Sequence, residues 1–269
     1  MANVVTGIGR ATMEGIRELG RMAQFAGSIV YWTFTSLPPR RVVFPVFYEV
    51  GVCSLPVVLV TGTFIGMVLA VQMFSQLHKL GAQNAAGMII NLSMVKELGP
   101  VLAAVILAGR VGGAMSAELG TMRVTEQIDA LRAMGSSPLR VLVVPRLLAC
   151  VLLIPVLVIY ADFMGILGGY MISVYIYGVS GSEFWRGSQQ VVERFDIFYG
   201  PIKSVFFGAA MSLICCYKGF RCAPGAAGVG RACTESFVAS CMAMLALDFF
   251  LGMALNTLYE SMYGLKVVL

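Results

Sequence analysis

The chain has 269 residues, of which 58% are hydrophobic and only 12% are charged, with a net charge of +5 and a mean hydropathy of +0.85. Because soluble domains carry about 25% charged residues, this composition excludes an ordinary soluble fold and indicates an all-α integral membrane protein. The basic residues form no run with interleaved aromatic residues, which argues against nucleic-acid binding. The seven cysteines contain no Cys-x-x-Cys pair, which argues against a metal site or a disulfide framework.

The first predicted element is an amphipathic helix over residues 4–30. Apolar residues recur at helical spacing from Val5 to Ile29, and charged residues gather on the opposite face. This pattern is typical of a helix that rests on a membrane surface, and a helix packed on protein outside the membrane is the alternative. A proline pair at 38–39 then breaks the helix, so residues 1–41 are predicted to form an interfacial helix and an elbow.

Five apolar stretches follow, and about 20 apolar residues suffice to cross a bilayer. They are predicted at residues 50–77, 85–118, 139–178, 200–217 and 234–258, with a polar segment at 179–199 and a glycine-rich loop at 219–230. The third stretch fits one very long helix or a tight two-helix hairpin, which would give six spans. In both arrangements the basic residues concentrate on the side of the N-terminus, which the positive-inside rule places in the cytoplasm.

The first span contains a stripe of small residues. Gly62, Gly66 and Ala70 are spaced four apart, so they lie on one face of a helix. Small residues at this spacing allow the backbones of two membrane helices to come close together. The stripe therefore predicts a tight contact between the first span and another helix.

A short amphipathic helix is predicted over residues 121–135, between the second and third spans. Thr125 is the predicted N-terminal cap, and Gly135 suits the end of the helix. Ile128 and Met134 lie on one face of it. A helix of this kind, on the positive side of the membrane, either docks into a cytoplasmic partner or simply covers the surface of the bundle.

Charged residues inside the spans are candidates for function, because burying a charge in a membrane is costly. They are Lys96, Glu97, Arg110, Asp162 and Asp248. Lys96 and Glu97 come just before a Gly-Pro pair at 99–100, where a helix starts or breaks around a cavity. Asp248 is interpreted as a hydrogen-bond anchor between helices, and Arg110 as a structural charge near the end of a span.

The sequence argues against an enzyme. His78 is the only histidine and lies at the edge of a span, so a histidine-rich metal motif cannot be assembled, and we identify no Ser-His-Asp set around it. No lysine follows a glycine, so the usual phosphate-binding loop is missing from the sequence. We therefore expect any ATP-driven work to depend on a separate partner subunit, and we expect no cofactor.

Several motifs together resemble a known family. The most specific are residues 96–101 (Lys-Glu-Leu-Gly-Pro-Val), 108–112 (Ala-Gly-Arg-Val-Gly), 117–122 (Ala-Glu-Leu-Gly-Thr-Met), 125–131 (Thr-Glu-Gln-Ile-Asp-Ala-Leu) and 144–146 (Val-Pro-Arg). Residues 225–232 (Gly-Ala-Ala-Gly-Val-Gly-Arg-Ala) and 247–251 (Leu-Asp-Phe-Phe-Leu) also fit. Over residues 45–258 the chain resembles the MlaE family, the permeases of MCE-type ABC transporters.

The resemblance implies a fold and a set of partners. The fold is the MlaE-type ABC permease fold, with an N-terminal interfacial helix and five transmembrane helices, which favours one long helix over residues 139–178. The whole chain is then one permease domain, with a transmembrane bundle at 42–258 and a periplasmic tail at 259–269. The implied location is the bacterial inner membrane. The implied partners are a second permease copy in a homodimer, cytoplasmic ABC ATPase subunits, a periplasmic MCE protein, phospholipid cargo and a small cytoplasmic STAS-type regulator.

The resemblance also implies two sites. The helix at 121–135 is similar to the coupling helix that sits on the ATPase, with contacts expected from Glu126, Asp129, Leu131, Arg132 and Met134. The lipid is expected between the two copies, in a cavity lined by Phe64, Met67, Val68, Val71, Phe74, Lys96 and Glu97. The alternative function is a proton-coupled secondary transporter that uses Glu97, Asp162 or Asp248 as the proton carrier.

Overall fold

All secondary structure in the described part of the chain, residues 2–35, 38–82, 85–192 and 194–263 of this computed structural model, is helical. The helices are α1 (Ala2–Thr35), α2 (Arg40–Val50), α3 (Leu55–Lys79), α4 (Ala86–Ser93), α5 (Gly99–Leu107), α6 (Gly113–Val124), α7 (Gln127–Ala133), α8 (Val144–Met171), α9 (Gly181–Val191), α10 (Arg194–Phe220) and α11 (Ala226–Tyr263). The short helix α7 connects the second span to the third, and α9 connects the third span to the fourth. The two helices therefore lie at opposite ends of the bundle. We refer to these as the α7 end and the α9 end.

Five helical stretches are long and apolar enough to cross a membrane, which confirms the predicted number of spans. They cover residues 40–79, 86–124, 139–176, 195–220 and 226–261. The third is one helix, because α8 passes through Pro155 without a turn. The two-helix hairpin considered for this segment is therefore wrong.

The second span is built from α4, α5 and α6, which are joined by π-helical turns at 94–98 and 108–112. Pro100 explains the first of these turns. It has no N–H, and in a regular helix its ring would clash with the carbonyl of Lys96, four residues earlier. Widening the helix by one residue relieves this conflict and points Lys96 and Glu97 in directions that a regular helix would not give them.

The small-residue stripe of α3 packs directly on α8, as predicted. A methyl group added at Gly62 would lie 2.7 Å from the carbonyl oxygen of Ala161, and one added at Gly66 would overlap the carbonyl oxygen of Gly165. Ala70 is fully buried on the same face. The two backbones thus touch, which is possible only because both helices carry small residues at the contact.

Helix α1 is held against the bundle by part of its apolar face. Phe25 packs edge-on against Tyr217 of α10 with ring centroids 5.4 Å apart, and Ile29 is fully buried. Closer to the N-terminus, Ile16 and Leu19 are exposed. The part of α1 around Phe25 and Ile29 therefore packs on protein, and the position of the exposed part on a membrane surface stays a prediction.

Three stretches for which the sequence predicted no helix are partly helical. The loop predicted at 219–230 is shorter, because α10 extends to Phe220 and α11 begins at Ala226. The polar segment 179–199 contains α9 and the first residues of α10. Of the predicted tail at 259–269, residues 259–263 continue α11, and the remainder lies outside the described residues.

Glu18 joins α1 to the end of α10. Its carboxylate accepts a hydrogen bond from the Tyr217 hydroxyl at 2.8 Å and lies 3.4 Å from the guanidinium groups of Arg21 and Arg221. The hydrogen bond from Tyr217, assisted by the two arginines, holds the pKa of Glu18 below its ordinary value of 4.5. The contact therefore stabilises the fold above about pH 4.5 and is lost as the pH falls through the lowered pKa.

We expect Glu18→Gln to lower the free energy of unfolding at pH 7 by less than about 1 kcal/mol, because the ion pairs are half-exposed and screened by solvent. Below the lowered pKa the wild type has lost the same contact, so the two proteins should have equal stability there. Thermal unfolding of both proteins over a series of pH values from 7 downwards measures the difference. A stability difference that stays the same over the whole series would contradict this role.

Candidate functional site

A buried lysine lies at the centre of a charged cluster among three spans. The Lys203 side chain is fully buried, and its Nζ donates hydrogen bonds to Glu97 Oε2 at 2.7 Å and to Asp248 Oδ1 at 2.8 Å. The π-helical turn at 94–98 supplies Glu97, α10 supplies Lys203 and α11 supplies Asp248. A buried lysine without partners would be very costly, so these two carboxylates allow the ammonium to remain inside the bundle.

The cluster continues through a second ion pair and an aromatic ring. Lys96 Nζ lies 2.8 Å from Asp196 Oδ1, and the centroid of the Tyr199 ring lies 5.8 Å from Lys96 Nζ and 4.8 Å from Lys203 Nζ. The Tyr199 hydroxyl donates to the carbonyl oxygen of Gly252 on α11 at 3.0 Å. Cation–π contacts of this kind add to the stabilisation that the ion pairs provide.

This arrangement separates the exposed members of the cluster from the buried ones. The Lys203 side chain is 0% exposed, whereas that of Glu97 is 49% exposed and that of Lys96 is 31% exposed. Lys203 and Asp248 therefore fix the geometry from inside, while Glu97 and Lys96 present a negative and a positive group to the outside. A site with both signs suits a zwitterionic or phosphate-bearing head group.

Part of this cluster is predictable from the sequence. Lys96 and Glu97 are among the predicted site residues, and the interpretation of Asp248 as an anchor between helices is confirmed by its contact with Lys203. The three members contributed by α10, which are Asp196, Tyr199 and Lys203, are not among the predicted residues. Their spacing of three and then four residues places them on one face of a helix, and this was the available signal.

The five apolar residues expected to line a lipid cavity lie along α3. Phe64, Val68 and Val71 are exposed, whereas Met67 and Phe74 are partly buried. The Phe74 ring stacks on Tyr177 with 3.9 Å between ring centroids. The exposed members lie on the side of α3 that faces away from the glycine contact with α8, and we call these five residues the outer face of α3. Lys96 and Glu97 make their ion pairs with α10, not with this face.

The predicted coupling helix is shorter than expected. Residues 121–124 continue α6, and Glu126 adopts a left-handed conformation (φ 59°) that separates α6 from α7. The cap predicted at Thr125 is wrong, because its hydroxyl donates backwards to the carbonyl oxygen of Thr121 at 2.9 Å. The end at Gly135 is confirmed by its positive φ of 72°.

Helix α7 is attached to the bundle by one apolar contact and one ion pair, and a second ion pair lies within the helix. Ile128 is fully buried, and Asp129 contacts Arg123 at 2.6 Å and Arg132 at 3.1 Å. Met134 at the end of the helix is 73% exposed. Of the five residues expected to contact an ATPase, Asp129 and Arg132 thus contact each other, Leu131 is half-buried, and Glu126 and Met134 point into solvent.

Residues 43–254 match the family model described as "Permease MlaE". The chain belongs to the MlaE permease family. It is 37% identical over 256 residues to the intermembrane phospholipid transport system permease protein MlaE of Haemophilus influenzae, covering 93% of this chain and 97% of that protein. It is 36% identical over 256 residues to a probable ABC transporter permease protein of Rickettsia typhi, with the same coverage. A Synechocystis sp. probable ABC transporter permease is 41% identical over 202 residues, covering 75% of this chain and 77% of that protein.

The match to the MlaE family spans the candidate sites described in this section. The outer face of α3, the charged cluster and α7 all fall within residues 43–254. The protein is therefore a multi-pass membrane permease whose second, fourth and fifth spans are tied together by buried ion pairs.

Proposed function

We propose that the chain is the membrane-spanning subunit of an ATP-driven phospholipid transporter, with its N-terminus in the cytoplasm of a bacterium and its spans in the inner membrane. The observation that carries this proposal is the 37% identity to an intermembrane phospholipid transport permease along 97% of that protein. The transporter contains a second copy of the permease, a cytoplasmic ABC ATPase and a periplasmic MCE protein, with a small STAS-type regulator on the cytoplasmic side.

The need for a separate ATPase follows from the sequence, which has no glycine-lysine pair for a phosphate-binding loop. Helix α7 is the part of the permease that docks on that ATPase. It lies at the same end of the bundle as the segment between α10 and α11, and it leaves Met134 and Glu126 exposed. An exposed methionine and an exposed glutamate at the two ends of a short helix that is tied to α6 are available for contact with a partner.

The lipid path lies along the outer face of α3 and the exposed part of the charged cluster. The acyl chains contact Phe64, Val68 and Val71, which are exposed and apolar. The head group contacts Glu97 and Lys96, which together match the opposite charges of a zwitterionic phospholipid. Closure of the ATPase brings the two α7 helices together, narrows the space between the permease copies and expels the lipid towards the MCE protein.

The docking role of α7 is tested by Met134→Glu combined with Glu126→Lys. Neither side chain has a described contact within the chain, so we expect the variant to fold normally and to lose about tenfold or more of the lipid-stimulated ATPase rate, as for an interface hot spot. The measurement is ATPase activity of the reconstituted complex. Leu80→Glu is the matched control, because Leu80 is 78% exposed but lies at the α9 end. An unchanged ATPase rate in the α7 variant would contradict docking.

The transport function itself is tested by reconstitution of the complex in liposomes that contain a fluorescent phospholipid. We expect transfer of the lipid to the MCE protein, or its uptake from that protein, only when ATP is present. Transfer that follows a proton gradient without ATP would instead establish the secondary transporter. Asp162→Asn and Glu97→Gln would then show which carboxylate carries the proton.

A further inference from the structure

A cavity with charged walls lies towards the α7 end of the bundle, where the first three spans meet. It has a volume of about 380 Å³ and lies between α2, the π-helical turn at 108–112, α6 and the start of α8. The volume falls within the range of about 300–1,000 Å³ that is usual for small-molecule sites. Four of the residues that line it are charged, and they are Glu49, Arg110, Glu118 and Arg146.

Two of these four charges neutralise each other. Arg146 Nη2 lies 2.6 Å from Glu118 Oε2, and the Arg146 side chain is only 6% exposed. The Arg146 guanidinium also donates a hydrogen bond to the carbonyl oxygen of Leu142. Because its partners come from the chain itself, Arg146 is satisfied without a ligand. This ion pair therefore forms a wall of the cavity that carries no net charge.

The other two charged residues have no partner of opposite charge in the described part of the chain. Arg110 donates to the Ser54 hydroxyl, which occupies one of the five N–H groups of a guanidinium, and Glu49 makes no described hydrogen bond. Glu49 is exposed and Arg110 is partly exposed, so a ligand in the cavity can reach both. Both lie within spans, where an unpaired charge is costly. They therefore match a ligand that carries one charge of each sign.

The balance of charges selects the chemistry of that ligand. A phosphate without a cation would be attracted by Arg110 but repelled by Glu49. A phosphodiester joined to a primary ammonium suits both, because its phosphate oxygens accept from the guanidinium and its ammonium donates to the carboxylate. A quaternary ammonium has the same charge but no N–H group, so it cannot donate a hydrogen bond to Glu49.

An exposed apolar stripe leads away from the cavity along the first span. Phe44, Tyr48 and Val52 are exposed at intervals of four residues, and the stripe continues on α3 as far as Phe64 and beyond. Tyr48 is the neighbour of Glu49 in the sequence, so the stripe passes beside the cavity. An acyl chain whose head group lies in the cavity can therefore extend along this stripe to the outer face of α3.

The cavity and the charged cluster lie on opposite sides of the middle of the second span. That span covers residues 86–124, and Glu97 comes before its middle residue whereas Arg110 comes after it. Their separation of 13 residues corresponds to about 20 Å along a helix. This is more than half of the hydrocarbon thickness of about 30 Å. The two sites are therefore distinct, and each lies in a different half of the membrane.

We propose that this cavity binds the head group of a phosphatidylethanolamine, with the phosphate at Arg110 and the primary ammonium at Glu49. The acyl chains lie along the exposed stripe of the first span. In the transporter, the cavity holds the lipid in the cytoplasmic half of its path, and the charged cluster holds it in the periplasmic half. This place in the path rests on the proposed function, whereas binding of the lipid is measured without transport.

The test uses four lipid probes that share their acyl chains and differ in the head group. Each carries a diazirine close to the glycerol and an alkyne at the end of one chain, and the heads are phosphoethanolamine, phosphocholine, phosphoglycerol and a bare hydroxyl. The full-length protein, with any subunits that accompany it, is labelled by light in phosphatidylcholine nanodiscs without ATP. We expect phosphoethanolamine to label residues 40–54 and 108–118 about two- to tenfold more than phosphocholine, on the scale of one hydrogen bond. The bare hydroxyl should label them least.

Variants of the two unpaired residues test the role of each charge. Glu49→Gln should reduce the preference for phosphoethanolamine over phosphocholine to less than twofold, because the carboxylate that accepts from the ammonium is lost. Glu49 is exposed, so this variant should fold normally. Arg110→Gln should reduce labelling by both of these probes at least fivefold, whereas Arg110→Lys should keep most of it because the charge remains. An unchanged head-group preference in Glu49→Gln would overturn the proposal even if the Arg110 variants fail to fold.

Arg140→Gln is the matched control. Arg140 is also partly exposed, lies in a π-helical turn at the α7 end of a span and has no ion pair among the described residues, but it does not line this cavity. We expect it to label like the wild type. An equal loss of labelling in Arg140→Gln and Arg110→Gln would indicate a general effect of charge and overturn the proposal. Equal labelling of the wild type by all four probes, or strongest labelling by a head other than phosphoethanolamine, would also overturn it.

Free phosphoethanolamine distinguishes a lipid from a soluble ligand. At the concentration of the lipid probe we expect it not to compete, because it lacks the acyl chains that contact the apolar stripe. Competition at that concentration would overturn a lipid as the ligand. Head-group-selective labelling in a complex that transports no lipid would support the site and contradict only the proposed function.

Discussion

Lys203→Met is expected to destabilise the protein by about 3–5 kcal/mol and to abolish lipid transfer, because it breaks a buried ion pair by removing one partner. The methionine has a similar length, but it leaves Glu97 and Asp248 without the cation that lies 2.7 and 2.8 Å from them. The free energy of unfolding in detergent measures the loss of stability. ATP-dependent transfer of a fluorescent phospholipid measures the loss of function.

A rescue variant separates the charge effect from loss of packing. Adding Glu97→Gln and Asp248→Asn to Lys203→Met removes the two unpaired carboxylates, so we expect most of the stability to return. Transport should stay low, because the exposed carboxylate of Glu97 is also lost. Lys218→Met is the control, because the partly exposed pair with Glu235 at 3.0 Å contributes less than about 1 kcal/mol. Wild-type stability in Lys203→Met would show that the cluster does not hold the spans together.

Gly66→Ala is expected to destabilise the bundle by about 3 kcal/mol, although the change adds only one methyl group. The added carbon would overlap the carbonyl oxygen of Gly165, which belongs to the backbone and cannot rotate away. Helices α3 and α8 must then move apart along their whole contact. The expected loss of stability is at the upper end of the losses seen when extra carbon atoms are inserted into a packed core. The measurement is the loss of helical circular dichroism as the purified protein is titrated with a denaturing detergent.

The same substitution at Gly113 is the matched control. Gly113 also lies in a helix of a span, but an added methyl group there would have no neighbour within 4 Å. Because alanine favours a helix over glycine by roughly 0.5–1 kcal/mol, Gly113→Ala should be neutral or slightly stabilising. Equal effects at the two positions would contradict a specific contact between α3 and α8.

The number of spans could be predicted because hydropathy is a local property. Each span carries its own run of apolar residues, and a bilayer requires nothing further to admit a helix. The third apolar stretch shows what hydropathy does not determine. Its sequence fits one helix or two, and neither Pro155 nor the distribution of basic residues decides between them. The structure has one helix, because α8 packs against α3 from Gly168 to Ala161 and beyond as an unbroken surface.

The glycine-rich segment shows a local signal that the tertiary structure overrides. Glycine is a poor helix former, so residues 225–230 were predicted to be a loop. In the structure they begin α11, and Gly228 lies so close to the carbonyl of Ala223 that a side chain would not fit. Glycine is present here because two backbone segments come close together. Composition alone does not distinguish a glycine that allows such a contact from one that makes a loop flexible.

The sequence by itself determined that this protein lies in a membrane, which stretches are apolar enough to span it, that the first span packs closely on another helix and which family the protein belongs to. Each of these properties depends on residues that are close together in the chain or on motifs that can be recognised one at a time. Only the tertiary structure decided which charges neutralise one another. Lys203 contacts Asp248, 45 residues away, and Glu97, 106 residues away. Asp162 contacts no cation at all in the described structure and lines a separate cavity instead. Coulombic pairing depends on distance in space, and no local pattern in the sequence encodes that distance.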